Sequence, residues 1–319
     1  NRFASGPHTP GASTSDNRQI HISAFRLGRC PPGGINREKW DMGDRVPRAI
    51  TIGVSDPTGL GGVQADLKTF AAFGVHGAAV VTGVITGPSD AANGLSALTP
   101  SEVVDQIELA ASQSGADAIK VGAVANGEIA QAVAAKIEEL GLKNTVVDPS
   151  LIIDADGAED NRAGSDVVAY LKASLFPVGD IAVVDIPECK LILGLPIKNA
   201  MGMKAGAKLI RQMGPNWVVV SGSELDGEEC TDYMFDGHEY MELPSERVDA
   251  PLARGSGAAY SAAITAGMAH GRSADEAIAI AKMYVTETLT TAYDLEGESE
   301  SLRHLYAWWE AGGSRGYGA

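Results

Sequence analysis

Short apolar runs alternate with amphipathic segments along the chain from residue 49 onward. The apolar runs suit strands buried on both faces and fall at 49–54, 78–85, 118–121, 145–147, 181–184 and 217–221. Apolar residues recur with helical spacing at 63–73, 101–112, 128–140, 165–173, 187–193, 200–213, 257–268, 274–291 and 302–309. An Asp236-Gly237 pair predicts a hairpin turn within 232–240. Strands that alternate with helices predict an α/β fold with a mostly parallel sheet covered on both faces.

The first 48 residues differ from the rest of the chain. They are rich in Gly, Pro, Ser and Arg and show no sustained apolar period. We therefore divide the chain into a non-globular N-terminal arm, 1–48, and one domain, 49–319. A short alternation at 20–25 is typical of an added strand. We expect the arm to lie against the domain or a partner subunit, whereas the other interpretation is a disordered leader or a remnant of a targeting sequence.

Composition and charge exclude several classes of protein. The 319 residues carry a net charge of −16, and the part beyond residue 48 holds 17 of the 25 basic and 37 of the 41 acidic residues. This negative excess argues against a nucleic-acid partner. Cys30, Cys189 and Cys230 lie too far apart for a zinc or disulfide motif, which is typical of a reducing compartment. Because no run of 18 apolar residues occurs, we expect a soluble intracellular protein of the cytoplasm or an organelle matrix or stroma.

A glycine-rich turn opens the helix predicted at 257–268. The chain reads RGSGAAYSAA over 254–263. A Gly-x-Gly turn at a helix start leaves backbone N–H groups unpaired, and the helix dipole adds positive charge, so Gly255, Ser256 and Gly257 are a candidate anion hole for a phosphate group. Ala258 follows, and its methyl group can neither accept nor donate a proton.

A second motif, GVSDPTGLGGVQADLKTF at 53–70, makes a resemblance specific. It is similar to the signature of the hydroxymethylpyrimidine/phosphomethylpyrimidine kinase family of thiamine biosynthesis, G-S/T-D-P-S-G-G-A-G-I-Q-A-D-L-K-T-F. The similarity continues at 73–77, 119–122, 147–149, 185–188, 255–263 and 302–309, so it covers roughly residues 49–310. It implies a ribokinase-like three-layer α/β/α sandwich with a mostly parallel central sheet and a small β flap. It also implies phosphorylation of a primary alcohol with Mg-ATP as cofactor.

The resemblance implies that several positions on the nucleotide side of the family's site hold a different residue in this chain. The thiol that serves the family as base falls on Ala258. The Asn of a segment near Mg-ATP falls on Asp185, and the Glu of that segment is retained as Glu188. A Lys on the nucleotide side falls on Ser221. If these roles carry over, the base and one phosphate-facing cation are lost, while the anion-hole backbone remains.

The substrate side is changed as well. The family's Gln that reads an aminopyrimidine falls on Gly87, and a pocket Met falls on Ala123. A loop Lys has no counterpart at 154–156. Asp56 is retained and is a candidate contact for a substrate hydroxyl, while Lys120 is a cation on a strand of the predicted site, whose structural interpretation is a salt bridge.

Because these losses cluster where the chemistry takes place, our leading hypothesis is a non-catalytic pseudokinase that serves as a structural or assembly subunit. Its expected partner is another protein or a second copy of the chain, with the arm 1–48 as the candidate contact, and no cofactor is expected. An active kinase of altered substrate, in which Asp56 or a substrate group replaces the base, would need Mg-ATP. The third hypothesis is a sensor that holds a small molecule in the old pocket.

Overall fold

A large mixed sheet forms the centre of the molecule. The computed structural model describes residues 18–19, 45–87, 94–151, 167–250, 253–295 and 299–306. The strands of this sheet are β1 (Arg18–Gln19), β2 (Arg48–Ser55), β3 (His76–Ile85), β4 (Leu95–Ala97), β5 (Ala118–Val121), β6 (Thr145–Val147), β7 (Ile181–Val184), β8 (Trp217–Val220), β9 (Glu229–Phe235) and β10 (Tyr240–Glu246). Their order is β1-β10-β9-β8-β7-β6-β5-β2-β3-β4. Strand β9 is antiparallel to both neighbours and β4 is antiparallel to β3, whereas the other pairs are parallel.

Helices cover both faces of the sheet. They are α1 (Gly62–Ala72), α2 (Pro100–Gln113), α3 (Gly127–Glu139), α4 (Val167–Tyr170), α5 (Phe176–Val178), α6 (Ile186–Leu193), α7 (Ala200–Arg211), α8 (Ser256–Ala269) and α9 (Ala274–Thr290), with a π-helical turn at Leu171–Leu175 between α4 and α5. Helices α1, α8 and α9 pack on one face, and α2 to α7 pack on the other. The molecule is therefore a three-layer α/β/α sandwich with a mostly parallel sheet, as the sequence predicts.

The central strands are apolar on both faces, which explains why they read as continuous apolar runs. In β7, Ile181 and Val183 belong to the core under α8 and α9, while Ala182 and Val184 belong to the core on the opposite face. In β8, Val219 likewise belongs to the core under α8 and α9, while Val218 and Val220 belong to the core on the opposite face. Packing on both faces leaves the strand ends as possible ligand sites, and in sheets of this kind ligands bind at the carboxyl ends.

Most predicted elements are found within two residues of their expected bounds, and the hairpin with the Asp236-Gly237 turn is confirmed as β9 and β10. The helix predicted at 302–309 is wrong over 302–305, where the chain turns after leaving a small sheet made of β11 (Ala253–Arg254), β12 (Tyr293–Asp294) and β13 (Glu300–Ser301). The sequence pattern does not predict this sheet, because strands of two residues are too short to show a period. Residues 307–309 lie outside the described residues.

Part of the N-terminal arm adds a strand to the sheet. Arg18–Gln19 pairs in parallel with Met241 and Glu242 of β10, at the edge of the sheet. The strand predicted at 20–25 lies outside the described residues, as does most of the arm. The division at residue 48 thus stays a prediction. Among the described residues, we find no helix with the length and apolar character that a membrane span requires.

Candidate functional site

The two glycine-rich segments of the sequence meet in the fold. Gly255 caps α8 with φ 87°, and a Cβ added to it would lie 1.8 Å from the carbonyl oxygen of Leu60. Only glycine permits both this left-handed conformation and this close approach. No side chain caps the N-terminus of α8. The predicted anion hole, Gly255 to Gly257, is therefore a bare helix start held against the loop at 56–62.

Asp56 shapes that loop with both of its carboxylate oxygens. Oδ1 accepts hydrogen bonds from the backbone N–H and hydroxyl of Thr58 at 2.9 and 2.7 Å, and Oδ2 accepts from the N–H of Gly61 at 2.9 Å. The backbone N–H of Asp56 donates to Gln64 at 2.9 Å. The carboxylate thus stabilises the turn that faces Gly255.

A cleft of about 590 Å³ opens at the carboxyl ends of β6, β7 and β8. Loop residues after these strands, β9 and the starts of α6 and α8 line it, together with part of α9. It brings together the predicted nucleotide-side set, which comprises Asp185, Glu188, Ser221, Gly255, Ser256 and Gly257. The predicted substrate-side set, Asp56, Gly87, Ala123 and Lys120, does not line it.

Two of the acidic residues that line the cleft, Asp185 and Glu188, cap helix α6. Oδ1 of Asp185 accepts the backbone N–H of Glu188 at 2.7 Å, and the Glu188 carboxylate accepts the N–H groups of Asp185 at 2.9 Å and Leu151 at 2.8 Å. Burial raises the pKa of Asp185 to about 6, and the nearby charges of Asp148 and Glu224 add to this shift. Burial, followed by the charge of Asp185, raises the pKa of Glu188 well above its ordinary value. This capping box therefore carries unfavourable negative charge.

The same hydrogen bonds limit what a metal ion would find. Three of the four carboxylate oxygens of Asp185 and Glu188 already accept backbone N–H groups. Among the described residues, no three His, Cys, Asp or Glu side chains are grouped to hold a metal. Mg²⁺ commonly binds through one or two carboxylates and substrate phosphates, and the carboxylates of this cleft are a poor match for the protein part of such a site.

Lys120 lies beneath the cleft in a buried ionic network. Its Nζ is 2.6 Å from Oδ1 of Asp66 and 3.7 Å from Oδ2 of Asp148, and the lysine is 1% exposed. Thr51 donates to Asp66 at 2.5 Å, and Ser261 of α8 donates to Asp148 at 2.5 Å. The network joins the sheet to α8 below the anion hole. Its salt bridges agree with the structural interpretation of Lys120, whose role as a pocket residue stays a prediction.

The remaining substrate-side positions come after strands next to those whose ends form the cleft. Gly87 comes after β3, and Ala123 comes after β5, where its carbonyl oxygen accepts the Thr82 hydroxyl at 3.2 Å. Strands β3, β2 and β5 are adjacent, so Gly87, Asp56 and Ala123 follow one side of the sheet edge. Residues 88 and 154–156 lie outside the described residues.

A further cluster that lines the cleft has no counterpart among the residues singled out from the sequence. Lys282 of α9 contacts Oδ1 of Asp232 at 2.9 Å and donates to the thiol of Cys230 at 3.5 Å. Asp232 also accepts the backbone N–H of Gly222, next to Ser221, at 3.0 Å. In the sequence, the one signal of this cluster is Lys282, a single lysine in the alanine-rich segment that forms α9. Its partners cannot be recognised from the sequence because they lie about fifty residues away.

Comparison with known proteins places the chain in a family. The model of the family described as phosphomethylpyrimidine kinase matches residues 56–303. The chain belongs to the phosphomethylpyrimidine kinase family. It is 33% identical over 265 residues to a hydroxymethylpyrimidine/phosphomethylpyrimidine kinase of Rhizobium meliloti (strain 1021), a match that covers 82% of this chain and 98% of that protein.

Solved structures agree with the family and the fold. A pyridoxal kinase of Bacillus subtilis, solved as an ADP complex, superposes with a TM-score of 0.76 and 28% identity over 82% of this chain and 98% of the other. A phosphomethylpyrimidine kinase from Clostridium difficile 630 superposes with a TM-score of 0.65 and 30% identity over 76% of this chain and 99% of the other. The chain therefore has the ancestry of a small-molecule kinase.

Proposed function

We propose that the chain is a non-catalytic member of the phosphomethylpyrimidine kinase family that acts as an assembly subunit. One observation carries the proposal: Ala258 occupies the first turn of α8, beside the bare N–H groups where a phosphoryl group would bind. Phosphoryl transfer to an alcohol needs a group that orients the hydroxyl and takes its proton. A methyl group provides neither function, and loss of a general base costs about 10²–10⁴-fold in rate.

Neither of two nearby carboxylates is a ready substitute. Both oxygens of Asp56 already accept donors of its own loop. Asp148 accepts the hydroxyl of Ser150 at 3.0 Å and that of Ser261 at 2.5 Å. Donors of the protein therefore already occupy the oxygens that would have to orient a substrate hydroxyl.

The charge of the cleft supports the same proposal. Six carboxylates and three cations line it. The carboxylates are Asp148, Asp185, Glu188, Glu224, Asp232 and Glu246, and the cations are Arg247, Arg254 and Lys282. Such an excess opposes a polyanion such as ATP unless local cations compensate.

The assembly role rests on the arm. Strand β1 adds residues 18–19 to the open edge of β10, and an edge strand is a surface to which another segment can pair. We expect that deletion of residues 1–44 changes the oligomeric state or abolishes co-purification of a protein partner, measured by light scattering and pull-down. An unchanged oligomer and an unchanged set of partners would count against this role.

The expected lack of kinase activity is tested with the variant Ala258→Cys. The control is Ala258→Ser, which introduces a side chain similar in shape to cysteine. The thiol restores the ionisable group implied by the resemblance, whereas the serine hydroxyl has too high a pKa to act as a base. With saturating MgATP and hydroxymethylpyrimidine, we expect the unmodified protein and Ala258→Ser to release ADP at the rate of a protein-free blank, and Ala258→Cys alone to exceed that rate, by at most about 10²-fold. Rapid turnover by the unmodified protein would contradict the proposal.

The alternative is an active ATP-dependent kinase that phosphorylates a primary alcohol of a vitamin-like small molecule. The open anion-hole backbone and the exposed Arg254 beside it favour this alternative, and it would require Mg-ATP. The turnover assay separates the two functions. A small metabolite that co-purifies without turnover would instead indicate a ligand sensor.

A further inference from the structure

Helix α7 presents an apolar and basic face to solvent. Its exposed residues recur at helical spacing and form one stripe, which consists of Met201, Ala205, Lys208 and Leu209. The side chain of Met201 is 80% exposed, whereas the apolar residues on the opposite stripe of α7 belong to the core. Lys208 makes no hydrogen bond or ion pair with any residue that the structure describes. The face therefore offers apolar surface and an uncommitted positive charge side by side.

The charge around α7 contrasts with the charge of the whole chain. Although the net charge is −16, residues 189–223 contain five Lys and Arg residues and no Asp or Glu. Lys190 and Lys198, which precede α7, are exposed like Lys208. Single exposed apolar side chains are common on protein surfaces, but an apolar stripe within a basic area of an acidic protein indicates an acidic binding partner.

Helix α2 of the same chain carries a complementary face. It contains three acidic residues and no basic residue. Its exposed stripe has the same helical spacing and includes Ser101, Asp105, Glu108 and Leu109. Leu109 is 62% exposed, and Asp105 makes no hydrogen bond or ion pair among the described residues. This face thus combines an exposed apolar side chain with an uncommitted negative charge.

The two faces lie in the same helical layer at opposite sides of the sheet. Helix α7 packs on β8 and β9, whereas α2 packs on β3, and five strands separate β9 from β3. On each helix the exposed stripe lies opposite the buried stripe, so both faces point away from the sheet. Within one chain the two faces therefore cannot meet. A two-fold axis that brings this layer of two copies face to face places α7 of each copy on α2 of the other.

We propose that the exposed faces of α7 and α2 bind each other between two copies of the chain, in a symmetric dimer with two identical contacts. Met201 and Leu209 pack against the partner's Leu109, and Lys208 lies opposite the partner's Asp105. The apolar residues supply the buried area, and the charges set the register and exclude the pairing of like faces. The inference rests on the proposed function only through its assembly role, of which it names one partner and one surface, and it involves neither the arm nor the cleft.

Sedimentation velocity over a range of protein concentrations tests the dimer. We expect the unmodified protein to dimerise at low salt and to dissociate as salt rises, because salt screens exposed charges. Lys208→Glu should weaken association by about 10-fold or more, since it places like charges opposite each other in both contacts. The matched control is Arg272→Glu, which makes the same change in charge at an exposed residue beyond the C-terminus of α8, in the opposite layer. It should leave the dimer unchanged.

Asp105→Lys tests whether α2 is the surface that α7 binds. Alone, this variant should also be monomeric, because it places two lysines opposite each other in both contacts. In an equimolar mixture with Lys208→Glu, a mixed dimer has one unmodified contact and one contact in which both charges are exchanged. We therefore expect the mixture to regain the association that each variant lacks, while thermal unfolding shows that both variants are folded.

Three results overturn the proposal: an unmodified protein that is monomeric at every concentration, a dimer that Lys208→Glu does not weaken, or a mixture of the two folded variants that stays monomeric. If the α7 face binds a different protein, Lys208→Glu loses that protein although the chain is monomeric throughout, which overturns the second copy as the partner. The proposed function fails by other readouts, rapid phosphoryl transfer or assembly unchanged by deletion of residues 1–44, so the two failures are distinguishable.

Discussion

Two capping boxes in this chain use the same hydrogen bonds in opposite electrostatic surroundings. At the start of α2, Glu102 accepts the backbone N–H and hydroxyl of Thr99 at 2.8 and 2.7 Å, and Thr99 accepts the N–H of Glu102 in return. At the start of α6, Asp185 and Glu188 exchange equivalent bonds. The pKa of Glu102 is lowered by its bonds from Thr99, whereas the pKa values of Asp185 and Glu188 are raised by burial.

The difference shows that a capping motif fixes the hydrogen-bond geometry of a helix start but not the electrostatic free energy of its charged carboxylates. Glu102 lies in solvent, which screens its charge, so its hydrogen bonds dominate. The box at α6 lies in the cleft, where Asp148 and Glu224 add negative charge around Asp185. A helix start that favours anions is thus placed where further carboxylates already gather, and the two residues that cap the helix add negative charge to the cleft.

Removal of the buried cation Lys120 should have the largest effect. Lys120 is the partner of Asp66 and lies near Asp148, and the side chains of Lys120 and Asp66 are each 2% exposed. Lys120→Met should lower the free energy of unfolding by about 3–5 kcal/mol, because it leaves a buried carboxylate uncompensated. Chemical denaturation measures this loss.

The matched control for that variant is Lys204→Met, which breaks the partly exposed pair with Glu242, whose side chains are 24% and 21% exposed. We expect it to cost at most about 1 kcal/mol. Equal losses in the two variants would show that burial does not set the strength of these pairs.

A change in the buried capping box should have a smaller effect, whose size depends on pH. Asp185→Asn keeps a good helix cap and removes the charge. Because the native pKa of Asp185 is raised from 3.8 to about 6, the unmodified protein loses stability relative to the variant as pH rises through this range. The variant should therefore be the more stable protein at pH 7, with the difference vanishing below the unfolded pKa. A difference independent of pH would contradict the raised pKa.

The exposed capping box should show the smallest effect, with the opposite sign. Glu102→Gln removes a charge whose native pKa is lowered from 4.5. The unmodified protein should therefore be slightly more stable than this variant at pH 7, and the advantage should vanish as pH falls through the native pKa of Glu102. The same denaturation series measures both boxes. If the stability differences of Asp185→Asn and Glu102→Gln change with pH in the same direction, burial and nearby charge do not explain the opposite pKa shifts of the two capping boxes.

The sequence by itself determined the sandwich and its loops. Apolar runs locate the strands because both faces of β7 and β8 are buried, and the glycine-rich turn at 255–257 locates the start of α8. The capping residues of α2 and α6 are also readable, since each pattern lies within four consecutive residues. These features depend on local geometry, which neighbours in sequence control.

Only the tertiary structure decided which charges meet. It places Lys120 with Asp66, Lys282 with Asp232, and Tyr260 beside that pair, from strands and helices far apart in sequence. It also leaves Arg254 exposed at the cleft, although the residue stands inside a motif visible in the sequence. Partners, burial and pKa values follow from packing across the sheet, and no local pattern encodes the distances that set them.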